Sequence, residues 1–193
     1  MISNDAMLNA AVFEAICACL GLGAESVEAN RLIHQGYVEA ENAPEPPRER
    51  DVIYYWVERD ETSGDDAQMM VPSVYNWRKQ KWNETWGNQV PTEVLSFLAY
   101  RLVIVCYGPK SEEYAHRIRA LMYLDGVRKP RGILRMAGIY PVPWPGQAVV
   151  TREPAGSLWR RRADLVISLR VKDKIETVQE AVVVAPEVNI IAK

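Results

Sequence analysis

Histidine and cysteine are scarce: the 193 residues contain 2 of the first and 3 of the second. Nucleophilic hydrolysis needs a nucleophile beside a base, and a third group to orient that base. His34 falls at the end of an expected helix, and His116 lies in Tyr114-Ala115-His116-Arg117-Ile118 next to an apolar face. No Gly-x-Ser-x-Gly elbow presents a serine to either. Cys17 and Cys19 are two apart in a helical stretch and Cys106 stands alone, so there is neither a disulfide framework nor a zinc-ligand set. Core cysteines are the better reading. Metals, cofactors and catalysis are therefore not expected.

Charge of one sign is also missing, because the formal net charge is −2. That excludes a general basic coat for nucleic acid. Long apolar runs are absent as well. Val103–Tyr107 and Ala181–Ala185 fall far short of the ~20 residues of a membrane helix. Met1-Ile2-Ser3-Asn4-Asp5 has no basic start of a signal peptide. The expectation is a soluble protein made in a reducing compartment, with no membrane partner. Gly21-Leu22-Gly23 follows a helix and lacks a third glycine, so it is a helix stop and no dinucleotide fingerprint. Asp60–Asp66 lacks the order of a calcium loop and reads as a solvated turn.

What is present is patterned. Leu8, Val12, Ile16 and Leu20 recur every four residues and predict a helix from Asn4 or Asp5 to Gly21. A short helix over Ser26–His34 and a brief strand over Tyr37–Glu41 come next, followed by a loop at Pro44, Pro46 and Pro47. Asp51–Arg59 is rich in β-branched and aromatic residues and reads as a strand with both faces covered. Strands are predicted at Met69–Tyr75 and Glu93–Tyr107, the second stopped by Gly108-Pro109. Ser111 and Glu112 open a helix whose Tyr114, Ile118 and Leu121 share a face, and Arg131–Ala137 adds a turn or two. Short extended pieces at Ile139–Val142 and Gln147–Arg152 precede Trp159–Lys172, where apolar and polar positions alternate with period two. A last extended piece covers Val178–Ala185. Strands grouped into hairpins with helices interrupting them predict an α+β fold. Its sheet is mixed and largely antiparallel, packed with two or three helices, with an extended hairpin arm.

Two basic features stand out. Arg160-Arg161-Arg162 opens the last long strand, so its side chains divide between two faces. Arg160 and Arg162 are expected to be exposed and available to a neighbouring subunit or to DNA. Trp77-Arg78-Lys79-Gln80-Lys81-Trp82, with Trp86 beyond, interleaves aromatics and cations as single-strand binders do. The same composition anchors protein interfaces. With no basic surface around it, a protein partner is favoured. A nucleic-acid-binding module using residues 77–86 is the alternative. The interface candidates are thus Trp77, Arg78, Lys81, Trp82, Trp86, Arg160 and Arg162.

Several short motifs in order carry a family resemblance. They are Val105-Cys106-Tyr107-Gly108-Pro109, then Ala115-x-Arg117-Ile118-Arg119, then Leu134-Arg135-Met136-Ala137-Gly138-Ile139-Tyr140-Pro141-Val142, and last Trp159-Arg160-Arg161-Arg162-Ala163-Asp164-Leu165. Glu39-Ala40-Glu41-Asn42-Ala43-Pro44-Glu45-Pro46 is a looser upstream match. From Val38 to Lys172 the chain resembles the phage neck terminator family, related to tail terminators. Tyr75–Thr92 departs from the family in length, and the first thirty or so residues and the tail beyond Lys172 carry little of the signal. The resemblance implies a non-enzymatic virion protein at the head–tail junction, made in the host cytoplasm. It would form a ring, hexameric in the family, that caps the tail tube. Implied partners are further copies of itself, the tail tube protein and a head-side connector, adaptor or collar protein. The sheath is a further candidate, and genomic DNA would pass through the ring lumen. The corresponding divisions are 1–36 (helical), 37–173 (terminator-like α+β, with the arm at 75–92) and 174–193 (an extended tail).

Overall fold

A computed structural model describes residues 2–36, 50–62, 66–72, 89–143, 146–155 and 158–180. The expected strand at Tyr37–Glu41 and the proline loop lie outside these residues. Two compact units divide the chain: Met1–Asp65 with Leu98–Lys172, and Asp66–Phe97 with Asp173–Lys193.

Helix α1 spans Ile2–Leu20. Its alanines favour helix, and its stripe of Leu8, Val12, Ile16 and Leu20 is buried. It ends where predicted. Gly21 has φ 75°, and the N–H groups of Leu22 and Gly21 reach back to the carbonyls of Cys17 and Ala18 at 2.9 and 3.3 Å. That left-handed cap satisfies carbonyls the helix itself leaves open. Helix α2, Val27–Leu32, starts on Ser26, whose hydroxyl accepts the Ala29 N–H at 3.1 Å. It is shorter than predicted. Ile33 already has extended backbone, and Ile33–Gln35 forms strand β1, parallel to β2 in the register Ile33↔Ile53.

Strand β2, Val52–Arg59, runs antiparallel to the end of β4, Gln89–Tyr107, with Tyr55 opposite Ile104. Asp60 beyond it departs from the solvated turn expected there. It is only 7% exposed, and its carboxylate accepts the backbone N–H and the hydroxyl of Thr62 at 3.1 and 2.6 Å. In the second unit, β3 (Asp66–Pro72) pairs antiparallel with the first part of β4, from Asp66↔Phe97 to Pro72↔Thr92.

The corner after β4 is tight for a physical reason. Gly108 has φ 107°, and a Cβ there would sit 2.5 Å from Asp51 Oδ1 and 2.9 Å from the Arg50 carbonyl. The same Asp51 oxygen accepts the Lys110 N–H at 2.9 Å. Helix α3, Ser111–Leu121, is therefore capped by a carboxylate from the start of β2. Ser111 is the first helical residue, and its side chain makes no cap bond. Helix α4, Pro130–Met136, follows with proline in its first turn, where the missing N–H costs nothing.

Strands β5 (Ile139–Pro141) and β6 (Val149–Ala155) both pair antiparallel with β7, Leu158–Glu180. The sheet has seven strands in the order β1-β2-β4-β7-β5, with β3 on β4 and β6 on β7. This is an α+β fold whose sheet is mixed and mostly antiparallel. In the first unit α1 packs against α3 and α4. Ile16 and Ile118 from the helices share one core with Ile53, Leu102, Ile104, Leu165, Ile167 and Leu169 from the strands. Helices α1 and α2 thus belong to the same compact unit as this part of the sheet. Among the described residues no helix is long and apolar enough to cross a membrane.

Candidate functional site

In β7 the series Ala163, Leu165, Ile167 and Leu169 points into the helix-covered core, which turns Arg160, Arg162 and Asp164 to the other face of the sheet. There they meet Tyr107 of the neighbouring strand β4, which is fully buried. The Arg160 guanidinium lies 4.6 Å from the Tyr107 ring centroid and that of Arg162 lies 5.8 Å away. Glu153, directly opposite Arg160 on β6, approaches Arg160 and Arg162 at 3.4 and 3.8 Å. Arg162 also donates from Nε to Asp164 at 2.7 Å. Tyr54 closes the group edge-on, with ring centroids 6.2 Å apart and planes at 79°.

This corrects the expectation of two exposed arginines. The Arg160 and Arg162 side chains are 8% and 22% exposed. Cations over an aromatic face, each with a carboxylate at hand, form a partly dry network held by electrostatics. Burial pushes the Tyr107 phenol up to about 12; the Glu153 carboxylate adds to this, while the two arginines pull against it. For Arg162 burial favours the neutral form, but the hydrogen bond and charge of Asp164 outweigh it and raise its pKa. The chemistry available here is cation and carboxylate pairing.

The cysteines are core residues. Cys17, Cys19 and Cys106 are free and fully buried. Burial lifts their thiols to about 11, 12 and 12 respectively, so the nucleophilic thiolate is suppressed. Cys19 Sγ donates to the Ile118 carbonyl at 3.9 Å, and the Cys19 carbonyl accepts from Arg117 at 3.0 Å. His34 is exposed with Nε2 3.1 Å from the Arg31 carbonyl, and His116 is exposed 3.8 Å from Glu112. Among the described residues no three His, Cys, Asp or Glu side chains gather as metal ligands do. An open cleft of about 650 Å³ is lined by Asn9, Phe13, Asn30, His34 and Tyr55 among others, a mixture of amides and aromatics.

Exposed apolar side chains mark the surface instead. Trp159 is 70% exposed, Val127 and Met136 are each 81% exposed, and Val149 is 58% exposed. Trp159 was legible as the start of the alternating strand. Its exposure was not, because the core-facing series becomes buried only from Ala163 onward. Trp77, Arg78, Lys81, Trp82 and Trp86 lie outside the described residues. No family model matches the chain, and no curated protein matches it.

Proposed function

We propose that the chain is a structural subunit of a tailed-phage virion, a neck or tail-terminator protein that works as a ring. In this role it caps the tail tube and joins it to the head-side connector. One observation carries the reading. The stop of β4 at Tyr107-Gly108, helix α3, the α4–β5 segment and the start of β7 are the segments that bear the family resemblance, and all four belong to one compact unit. Two of them meet at Tyr107, where Arg160 and Arg162 cover its ring.

A ring subunit needs unlike contact surfaces on a stable body, because each copy meets its neighbour through two different faces. Exposed apolar side chains such as Trp159, Val127 and Met136 are candidates of the right composition for such contacts. Partners on this reading are further copies, six in the ring, the tail tube protein and a connector, adaptor or collar protein. The sheath remains a candidate, with genomic DNA in the lumen. A reconstruction of the virion neck with this chain located tests it. The expected result is a closed ring between head and tail tube. A single copy or an open helical array would sink the proposal. A salt-sensitive gel shift with single-stranded DNA, lost on replacing Trp77 and Trp82, would favour the nucleic-acid alternative instead.

A further inference from the structure

The connection between α3 and α4 folds back on the helix it leads into. Gly126 has φ 144°, and a Cβ on Gly132 would strike the Gly126 carbonyl, so the loop lies directly on the first turn of α4. Lys129 and Arg131 donate their N–H groups to the carbonyls of Gly126 and Leu124 at 3.0 and 3.3 Å. Asp125 is held in the same place. Its Oδ1 accepts the Gly126 N–H at 2.9 Å, and its Oδ2 lies 4.0 Å from Arg131 Nη1 and 3.8 Å from Arg135 Nη1. The Lys129 side chain starts out against Gly126, where a Cβ would meet its Cγ at 2.9 Å. Pro130, Gly132 and Leu134 are buried, which turns Arg131 and Arg135 outward together. One compact patch therefore gathers Lys129, Arg131 and Arg135 around a single carboxylate, with Arg128 beside Lys129 in the chain.

This crowding works against the fold. Arg131 and Arg135 are like charges four apart on one helix, a spacing that destabilises it. Asp125 answers both only from the outer limit of ion-pair distance. Among the described residues Arg128 and Lys129 have no carboxylate within that distance. All four cations are exposed. Residues 125–136 thus carry four cations and one carboxylate in a chain of net charge −2. Such a surface calls for a polyanion from outside. Between Lys129 and Arg135 every exposed side chain is a cation, and the exposed Val127 and Met136 fall before and after that stretch in sequence. Protein interfaces seat aromatic and aliphatic anchors at their centre, which the middle of this patch lacks. Three of the four cations are arginine, whose guanidinium grips a phosphate through two parallel hydrogen bonds. We infer that the Arg128–Arg135 patch binds the phosphate backbone of duplex DNA. Contacts of this kind position a duplex without reading its sequence. The inference rests on the ring reading above for its choice of duplex, the nucleic acid that would pass the lumen, and names the surface that meets it.

The test is fluorescence anisotropy of a labelled duplex titrated with the full chain over a series of salt concentrations. Binding is expected at low salt, with a log–log salt slope of about −3.6 when all four cations meet phosphates. Arg128→Gln with Lys129→Gln, and separately Arg131→Gln with Arg135→Gln, should each flatten that slope by about 1.8 and weaken low-salt binding about tenfold or more. The four substitutions together should abolish binding. These side chains are exposed, so melting curves should stay unchanged and rule out misfolding. A duplex of unrelated sequence should bind equally well. No binding at the lowest salt overturns the inference. So does binding that survives the fourfold substitution, or that is lost on replacing Trp77 and Trp82 instead. Polyglutamate that displaces the duplex at equal charge concentration assigns the patch to an acidic protein and also overturns it. The two readings fail separately. A neck ring whose chain binds no duplex through these residues keeps the first and removes this surface, whereas duplex binding by a chain absent from the neck does the reverse.

Discussion

Tyr107 shows how far a single residue's environment can depend on strands remote from it in sequence. In the chain it is only the end of an apolar strand; in the fold it lies under Arg160 and Arg162 with Glu153 beside them. Period two assigned Leu165, Ile167 and Leu169 to the core correctly, because alternation alone decides which face a strand residue takes. The same rule could not tell whether the opposite face was wet, since that depends on cross-strand partners. Ile167→Asp should prevent folding, because it buries an unpaired charge in a core fully closed to water. Circular dichroism of the variant should lack a cooperative melt.

Titration gives a second residue-scale prediction. Burial raises Cys17, Cys19 and Cys106 from 9.0 to about 11, 12 and 12, and raises Tyr55 and Tyr107 from 10.0 to about 12. A group whose folded pKa is raised contributes stability below its unfolded pKa and loses it as pH climbs through the folded value. The thiols thus begin to withdraw stability above about pH 9 and the phenols above about pH 10, ending near pH 12. Urea midpoints should fall across that window. In the native protein the three thiols should resist alkylation at pH 8 and react once it is unfolded. Rapid native alkylation would contradict their burial.

At the scale of elements, the stop signals read well and the caps less so. Gly21 and Gly108 end their elements as predicted, both at positive φ. Helix α3 does not rely on its own first residues, because Asp51, fifty-nine positions upstream, accepts the Lys110 N–H. No local pattern could reveal that. Asp51→Ala should cost about 1 kcal/mol, the usual worth of a cap, with the helix otherwise retained. Gly108→Ala should cost about 2 kcal/mol or more, since the added methyl would strike the Asp51 backbone and the Arg50 carbonyl as well as strain φ. Urea denaturation measures both. A change of a few tenths for Gly108→Ala would mean that the corner yields. The switch from helix to strand at Ile33 was equally hidden, because three residues are too short for a period. Pairing with Ile53 decides it.

At the scale of the whole molecule, the stretch between β3 and β4 is the place to test assembly. These strands pair antiparallel out to Pro72↔Thr92, so the chain between them joins the two strands of a hairpin. The sequence there carries Trp77, Trp82 and Trp86 with Arg78, Lys79 and Lys81 among them. Three tryptophans are a liability in a solvated connection, and three cations make burial in the chain's own core costly. A partner's surface relieves both, and on the virion role proposed above the arm is expected to dock on a second protein of the particle. The compact unit holding α1 to α4 excludes residues 66–97, so its core should survive the loss of the arm. Replacing residues 76–88 with a short Gly-Ser turn should give a soluble protein with a normal cooperative melt. In a complementation assay the same protein should fail to complete particles. Loss of folding would show that the tryptophans belong to the core. Normal particles would show that the arm is dispensable, and the contact between this subunit and its partners would then have to be sought on the Trp159 or Val127 surfaces.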